Sequence, residues 1–418
     1  MAGSSEPIAP LFSLKLDLPP SCLEFCPIFP DYFLVGTYNL QKDETSVQAN
    51  TTEAEESSQG PSKEAQKRNG SIVVYKVEDK IIVHVHTEPQ PSAVLDLHFQ
   101  HLPGRQDICG AVSSTGTLDV FRFSGPPTAS NGLLALNTIR LPGIGEDVLF
   151  LSFAWHPSIE DVIAVTTSQG NAHIIRLGSD CKAFQSTGEP IISHSLEAWC
   201  VAIYPSVSTS HGQELNNSPP FALFTGGDDS ALQYLTCEIR GGADDDDNDP
   251  LEVFTMFAPV TVRGHEAGVT AILPLPLTAG EQDSDLVVTG SYDDHVRVYS
   301  IVPLHQAGGL RKARLLAEAN LGGGVWRLRL IGVQEGDSGA TWRAWLLASC
   351  MHAGARIVEL RGSSNVACEV EVLGRFEEHK SMNYASDFRP GDSHGELVCV
   401  STSFYDKLLC LWQIEFPR

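Results

Sequence analysis

The chain has 418 residues, of which 42% are hydrophobic, so it can bury one large core or the cores of two or three smaller domains. Its 28 basic and 52 acidic residues give a formal charge of −24, which repels phosphate backbones and anionic membrane surfaces. We therefore expect no nucleic-acid partner, no membrane association and, because like charges oppose self-association, a monomer.

The N-terminal residues have neither the basic start nor the apolar run of a signal peptide. No stretch approaches the roughly 18 apolar residues that a membrane-spanning helix requires. The ten cysteines form no CxxC pair, and Cys200, Cys399 and Cys410 lie in apolar runs where reduced core thiols are typical. These features predict a cytoplasmic protein with reduced cysteines, no structural metal and no cofactor.

The chain repeats a unit made of one apolar strand, a polar turn and a second apolar strand. In chain order the seven copies are NGSIVVYKV from 69, ICGAVSSTGTLDVFRF from 108, VIAVTTSQGNAHIIRL from 162, FALFTGGDDSALQYL at 221–235, DLVVTGSYDDHVRVYS at 285–300, LLASCMHAGARIVEL at 346–360 and ELVCVSTSFYDKLLCLW at 396–412. Such a unit cannot bury both of its apolar faces alone, so the copies must stack. The repeat predicts an all-β chain that forms a seven-bladed WD-repeat β-propeller, a single domain over residues 1–418.

A polar residue occupies the turn of each copy. In chain order these residues are Asn69, Thr115, Gln169, Asp229, Asp293, His352 and Asp406. The histidines His194, His265 and His379 precede three of the turn aspartates by 27 to 35 residues. In WD repeats such a His and Asp are hydrogen-bonded across the blade, so we expect these pairs to be structural.

Three polar segments interrupt the repeats. Residues 41–69 contain no large apolar residue except Val47, which predicts a disordered loop within blade 1. Residues 206–219 and 241–250 are predicted to be polar surface loops. The last copy ends one strand short of a blade, and the run LFSLKLDL at 11–18 could supply that strand and close the ring.

Several local sequences are more specific than a generic WD repeat. They are HSLEAWCVA (194–202), TGGDDSALQY (225–234), TGSYDDHVRV (289–298), GGVWRLRL (323–330), ASCMHAGARI (348–357) and STSFYDKLLCLW (401–412). Together they make the chain similar to the diphthine methylesterase family of WD-repeat proteins. The resemblance implies a hydrolase that removes a methyl ester from the modified histidine of elongation factor 2, before that histidine is amidated to diphthamide. The alternative is a non-catalytic adaptor that brings elongation factor 2 to the amidating enzyme.

The implied substrate carries a trimethylammonium group, which aromatic faces and carboxylates bind. The loops that enter the first strand of a propeller blade and those between its second and third strands open on the same face. The aromatic residues in these loops are Trp199, Trp326, Tyr292, Phe404 and Tyr405, and the acidic residues beside them are Glu197, Asp228, Asp293 and Asp294. We predict that these residues bind the substrate, the alternative being that the two tryptophans only wedge between blades.

Ester hydrolysis requires a base and an attacking atom. His352 replaces the turn aspartate in a blade that also lacks the upstream histidine, so it is the predicted general base. Cys350 and Ser403 are candidate nucleophiles, and a water activated by His352 would need neither. Asp406 or Asp293 could orient the imidazole. No G-x-S-x-G, H-E-x-x-H, P-loop or G-x-G-x-x-G motif is present in the sequence.

Overall fold

A computed structural model of the chain describes residues 6–40, 68–125, 132–205, 218–240, 251–279, 284–336, 341–363, 366–391 and 395–415. Within these ranges the strands form seven antiparallel sheets of four or five strands each. The sheets are the blades of a propeller, which confirms the predicted all-β fold. None of the residues in these ranges belongs to a helix that could cross a membrane.

The strands follow one another blade by blade. Strand β1 (Phe12–Lys15) belongs to blade 7. Blade 1 contains β2 (Pro20–Phe25), β3 (Tyr32–Thr37), β4 (Asn39–Leu40), β5 (Arg68–Glu78) and β6 (Ile81–Gln90). Blade 2 contains β7 (Val94–Phe99), β8 (Ile108–Ser113), β9 (Thr117–Phe123) and β10 (Leu133–Arg140). Blade 3 contains β11 (Phe150–Trp155), β12 (Val162–Thr167), β13 (Asn171–Leu177), β14 (Phe184–Ser186) and β15 (Ile192–Ser193).

The second half of the chain continues in the same way. Blade 4 contains β16 (Ala198–Pro205), β17 (Phe221–Gly227), β18 (Leu232–Ile239), β19 (Val253–Thr255) and β20 (Val260–Val262). Blade 5 contains β21 (Val269–Ala279), β22 (Ser284–Ser291), β23 (His295–Ile301) and β24 (Ala313–Asn320). Blade 6 contains β25 (Arg327–Glu335), β26 (Thr341–Ser349), β27 (Ala355–Ser363) and β28 (Val366–Phe376), and blade 7 contains β29 (Ala385–Phe388), β30 (Glu396–Ser403) and β31 (Leu408–Glu415).

The first strand of each blade is the innermost. The strands β2, β7, β11, β16, β21, β25 and β29 contact one another in sequence around the ring, and β29 contacts β2 again. The second strand of every blade is apolar and almost fully buried, because the neighbouring blades pack against both of its faces. The side chains at the start of the inner strands therefore converge on one central channel.

The N-terminal run closes the ring. Phe12 pairs with Leu411 and Lys15 pairs with Leu408, so β1 is the fourth strand of blade 7. Beyond β1, the backbone N–H of Leu16 donates to the carbonyl of Lys407 at 2.8 Å, and the Leu16 side chain is only 7% exposed. The edge of β31 that would otherwise be open is paired, as the sequence predicts.

The predicted loops lie mostly outside the described residues. Of the loop predicted at 41–69, only Arg68 and Asn69 are described. They begin β5, so the predicted loop extends two residues into this strand. Asn69 is consequently a strand residue that pairs with Asn39, and not a turn residue. Residues 206–217 and 241–250 fall outside the described ranges as well.

The predicted His–Asp pair is present in blade 4. Nδ1 of His194 lies 2.9 Å from Oδ1 of Asp229, and its Nε2 lies 2.8 Å from the hydroxyl of Thr225. The carboxylate also accepts a hydrogen bond from the backbone N–H of Ala231 within the turn. The pair therefore fixes the turn between the second and third strands, which is the structural role expected for it.

In blades 5 and 7 the predicted direct His–Asp bond is not formed. His265 contacts the hydroxyl of Thr289 at 2.9 Å, and His379 contacts the hydroxyl of Ser401 at 2.8 Å. Trp412, which is fully buried, donates its indole N–H to the same Ser401 hydroxyl. Burial lowers the pKa of both histidines to about 4, so they are neutral polar groups of the core.

An ion pair crosses the central channel. The guanidinium of Arg327, on β25, lies 2.6 Å from the carboxylate of Asp96, on β7. Blades 6 and 2 are not neighbours in the ring, so this contact spans the channel instead of joining adjacent blades. Asp96 also accepts a hydrogen bond from the Ser152 hydroxyl at 2.9 Å. The ion pair therefore ties opposite sides of the inner ring together.

The same ion pair belongs to a larger buried network. His98 lies between Glu24 and Asp96, at 2.6 and 3.1 Å. Arg329 lies 3.3 Å from Glu24 and 3.1 Å from Asp387. Burial disfavours the charged form of His98, but the charges of Asp96 and Glu24 outweigh it and raise its pKa to about 9. His98 is therefore a cation at neutral pH.

The raised pKa of His98 makes stability depend on pH. Its contribution is complete below the unfolded-state pKa of about 6.5 and is lost as the pH rises towards 9. We expect the free energy of unfolding, measured by urea titration, to fall by about 2 kcal/mol between pH 6.5 and 9. His98→Gln should flatten this dependence, whereas His86→Gln, at the surface beside Glu88, should keep it. An unchanged pH slope in His98→Gln would contradict the assignment.

Ring closure is tested by two adjacent residues. Leu16→Ala should lower the free energy of unfolding by about 2–4 kcal/mol, because it removes buried side-chain volume where β1 meets β31. Lys15→Ala changes the exposed side chain of the preceding residue, the last of β1, and should stay within about 0.5 kcal/mol of wild type. Chemical unfolding measures both, and equal effects would show that Leu16 does not stabilise the closure.

Candidate functional site

Aromatic side chains from blades 4, 5 and 6 meet at one face of the ring. Trp199 is the second residue of β16, and Trp326 directly precedes β25. Tyr292 directly follows β22, in the turn between the second and third strands of blade 5. These positions lie at the same end of their blades because antiparallel strands bring the start of the first strand beside the end of the second.

Three of the predicted rings contact one another. The ring centroids of Trp199 and Trp326 are 5.6 Å apart, and that of Tyr292 lies 6.3 Å from Trp199 and 5.6 Å from Trp326. The ring planes are tilted by 52° to 82°, so different rings present faces and edges in different directions. All three side chains are half-buried. The predicted convergence of these residues is therefore present, and we call the group the aromatic rim.

Two further aromatic residues, which the sequence analysis missed, extend the aromatic rim. Tyr384 lies between Trp326 and Phe404, with ring-centroid distances of 4.9 and 5.6 Å, and Tyr38 lies 5.8 Å from Phe404. Tyr384 directly precedes β29 as Trp326 precedes β25, and Tyr38 directly follows β3 as Tyr292 follows β22. An alignment of blades at these two positions could have found both residues. Tyr405 packs its ring on Phe404, but it is 70% exposed and marks the outer edge of the rim.

The predicted acidic residues fall into two groups. Asp228 accepts a hydrogen bond from the Trp199 indole N–H at 3.0 Å, and its own backbone N–H donates to the carbonyl of Glu197. Burial raises the pKa of Tyr292 well above its ordinary value, and the nearby charges of Asp228 and Glu197 raise it further. Asp228 and Glu197 therefore place negative charge beside the rim. The carbonyl of Asp294 accepts a hydrogen bond from the N–H of Leu321 within blade 5.

Asp293 does not fit the predicted binding role. Its carboxylate lies 2.8 Å from the guanidinium of Arg297 and accepts hydrogen bonds from the backbone N–H groups of Glu266 and His295. Burial raises its pKa, but these hydrogen bonds outweigh the effect and hold the pKa at about 2. The carboxylate is fully engaged in fixing its own turn, so it is unsuited to bind a ligand cation.

The two candidate nucleophiles are buried in the blades. Cys350 is 0% exposed, and burial raises the pKa of its thiol to about 12, so the reactive thiolate is strongly disfavoured. Ser403 is also 0% exposed, and its hydroxyl is hydrogen-bonded to Nδ1 of the buried His379. Neither residue is therefore accessible to a substrate, since each ends the almost fully buried second strand of its blade or directly follows it.

His352 occupies the predicted turn of blade 6, between β26 and β27, and is exposed. The side chain of its neighbour Met351 packs against Gly324, which also lies beside Tyr292, so the turn borders the aromatic rim. Asp406 does not orient the imidazole, because its carboxylate accepts hydrogen bonds from Ser381 and from the backbone N–H of Lys380. Within the described part of the chain, no carboxylate holds the His352 ring.

A cavity of about 270 Å³ lies in the central channel. Trp199 and Trp326 line it together with the channel network, which includes Asp96, His98 and Arg327. Residues of β11, β16 and β21, such as Phe153, Val201 and Ile272, form an apolar wall. No local sequence pattern indicates this cavity, because its lining comes from short segments of six different blades. The two tryptophans thus line a cavity as well as packing between blades.

Comparison with known proteins finds relatives along almost the whole chain. No family model matches the chain. It is 26% identical to a diphthine methyltransferase of Schizosaccharomyces pombe over 411 residues, which are 98% of this chain and 99% of the relative. It is 24% identical to diphthine methyltransferases of Saccharomyces cerevisiae, over 96% of this chain and 97% of the relative, and of Homo sapiens, over 90% and 74%. The similarity runs through nearly the whole chain, and it supports membership of the diphthine methyltransferase family.

Proposed function

We propose that this chain acts in diphthamide biosynthesis as a hydrolase that removes the methyl ester of diphthine methyl ester on elongation factor 2. The observation that carries the proposal is the aromatic rim, in which Trp199, Tyr292 and Trp326 meet beside Asp228. A quaternary ammonium group cannot donate hydrogen bonds, so aromatic faces and nearby carboxylates are the groups that bind it. The names of the relatives support a substrate of the diphthine type.

The burial of Cys350 and Ser403 favours direct attack by water over a covalent intermediate. The water oxygen bonds to the ester carbonyl carbon, the bond from that carbon to the methoxy oxygen breaks, and the products are a carboxylate and methanol. A base takes up the proton that the reaction releases. We assign this role to His352, since it is an exposed imidazole whose turn borders the rim.

The adaptor alternative needs no cavity behind the rim. A protein that only holds elongation factor 2 could do so with surface loops, whereas here two of the rim aromatics also line a cavity of about 270 Å³. A cavity of this size accommodates the modified part of one side chain. This feature favours a protein that works on the modification itself.

The rim is tested by Tyr292→Leu. Loss of the aromatic face should reduce kcat/KM by about tenfold, because a partly desolvated cation–π contact is worth on the order of 1–2 kcal/mol. The measurement is mass spectrometry of elongation factor 2 carrying the methylated intermediate, which loses one CH2 unit on hydrolysis. Phe254→Leu changes an exposed aromatic residue on an outer strand of blade 4 and should leave the rate unchanged. A Tyr292→Leu rate equal to that of Phe254→Leu would remove the rim from the proposal.

The base is tested in the same assay with His352→Ala. Removal of a general base should lower kcat by about 100-fold or more. His84→Ala, on β6 of blade 1, is the matched control and should keep the wild-type rate. If His352→Ala hydrolyses the ester as fast as wild type, the esterase proposal stands and this base is wrong. If neither protein hydrolyses the ester while both bind elongation factor 2, the adaptor is the better account.

A further inference from the structure

The central channel contains a cationic side chain directly behind the aromatic rim. Arg327 follows Trp326 in the sequence, so the two Cα atoms are about 3.8 Å apart, and both residues line the cavity. Arg327 is the first residue of β25, and its side chain is 15% exposed. A ligand whose cation rests on the rim therefore enters a cavity that Arg327 also lines.

This guanidinium has hydrogen-bonding capacity to spare. One of its terminal nitrogens donates to Asp96, but its Nε–H is buried and meets no acceptor among the described residues. In Arg329, two residues along the same strand, Nε donates to Asp387 and Nη1 to Glu24. A buried N–H without an acceptor is unfavourable, and a bound carboxyl oxygen would satisfy it. Arg327 is thus the more available of the two channel arginines.

The charge of the channel suits a ligand with a cation at one end and an anion at the other. The network holds three cationic groups, on Arg327, Arg329 and His98, and at most three carboxylates, so it does not repel a further carboxylate strongly. The rim, by contrast, is flanked by the carboxylates of Asp228 and Glu197. A simple anion is disfavoured at the rim, and a simple cation gains nothing in the channel.

We propose that Arg327 binds the carboxyl group of compounds that carry a quaternary ammonium and a carboxyl group together, with the ammonium on the aromatic rim. The inference deepens the proposed function, because hydrolysis of the ester leaves such a zwitterion on the substrate side chain. The same N–H can hold the ester carbonyl oxygen while negative charge develops on it during attack by water. Arg327 is then both a binding and a catalytic residue.

The probe is glycine betaine, which carries one trimethylammonium and one carboxylate, with choline as the cation alone and acetate as the anion alone. Binding is followed by ligand-observed NMR in the millimolar range expected of such small molecules. Wild type should bind betaine more tightly than choline or acetate. Arg327→Lys should weaken betaine by about tenfold and leave choline unchanged, because lysine lacks the second donor of the fork. Arg329→Lys, the matched control, should keep the wild-type affinity.

A second variant keeps the test decisive if Arg327→Lys is poorly folded. Asp96→Asn removes the carboxylate that competes for Arg327 and should tighten betaine binding by several-fold, with choline again unchanged. Circular dichroism verifies the fold of each variant. The inference is overturned if wild type binds no betaine, or if neither variant changes its affinity.

The esterase assay separates this inference from the proposed function. If wild type hydrolyses the ester but betaine binding does not depend on Arg327, the esterase proposal holds and the carboxyl site at Arg327 is contradicted. If betaine binding depends on Arg327 but the ester is not hydrolysed, the carboxyl site is supported and the esterase proposal is contradicted.

Discussion

The pairing of β1 with β31 joins the N-terminal strand to the last blade and so closes the ring of blades. Four residue pairs join these strands, and they connect residues almost 400 positions apart in the sequence. Without them β31 would expose an unpaired edge, and blades 7 and 1 would lose the side chains, such as Leu16 and Leu409, that pack where the chain ends meet. The channel depends on this closure, because the segments that line its cavity come from six of the seven blades.

The parts of the site that the sequence predicts are those that depend on repeat register. Each copy shows an apolar strand, a turn and a second strand, so the residues before first strands and after second strands can be assigned to one face without knowing any contact. Trp199, Tyr292 and Trp326 were found in this way, and their rings do meet. Tyr384 and Tyr38 hold equivalent positions, before β29 and after β3, and were missed because neither lies in the local sequences that single out the other aromatic residues.

The channel network could not be predicted in the same manner. Arg327 and Asp96 are 231 residues apart, and Arg329 and Glu24 are 305 apart. Each of these residues is an ordinary charged residue in a strand of alternating polar and apolar residues. Nothing near it in the sequence indicates which residue it will pair with. The burial of Cys350 and Ser403 has a related origin. A turn motif locates a residue along the chain, but the packing of the next blade decides whether the side chain reaches solvent.

The ion pair between Arg327 and Asp96 bears on both stability and the proposed chemistry. A buried guanidinium left without a counter-charge would be strongly destabilising, so Asp96 stabilises the channel by neutralising Arg327. The same carboxylate competes with any carboxylate ligand for the guanidinium, which limits how tightly a zwitterionic product can bind. Binding that is equally strong to ester, transition state and product would not accelerate hydrolysis, and tight product binding would slow release. An arginine that is paired on one side and free at Nε can stabilise developing negative charge without holding the product, which is what an esterase at this position requires.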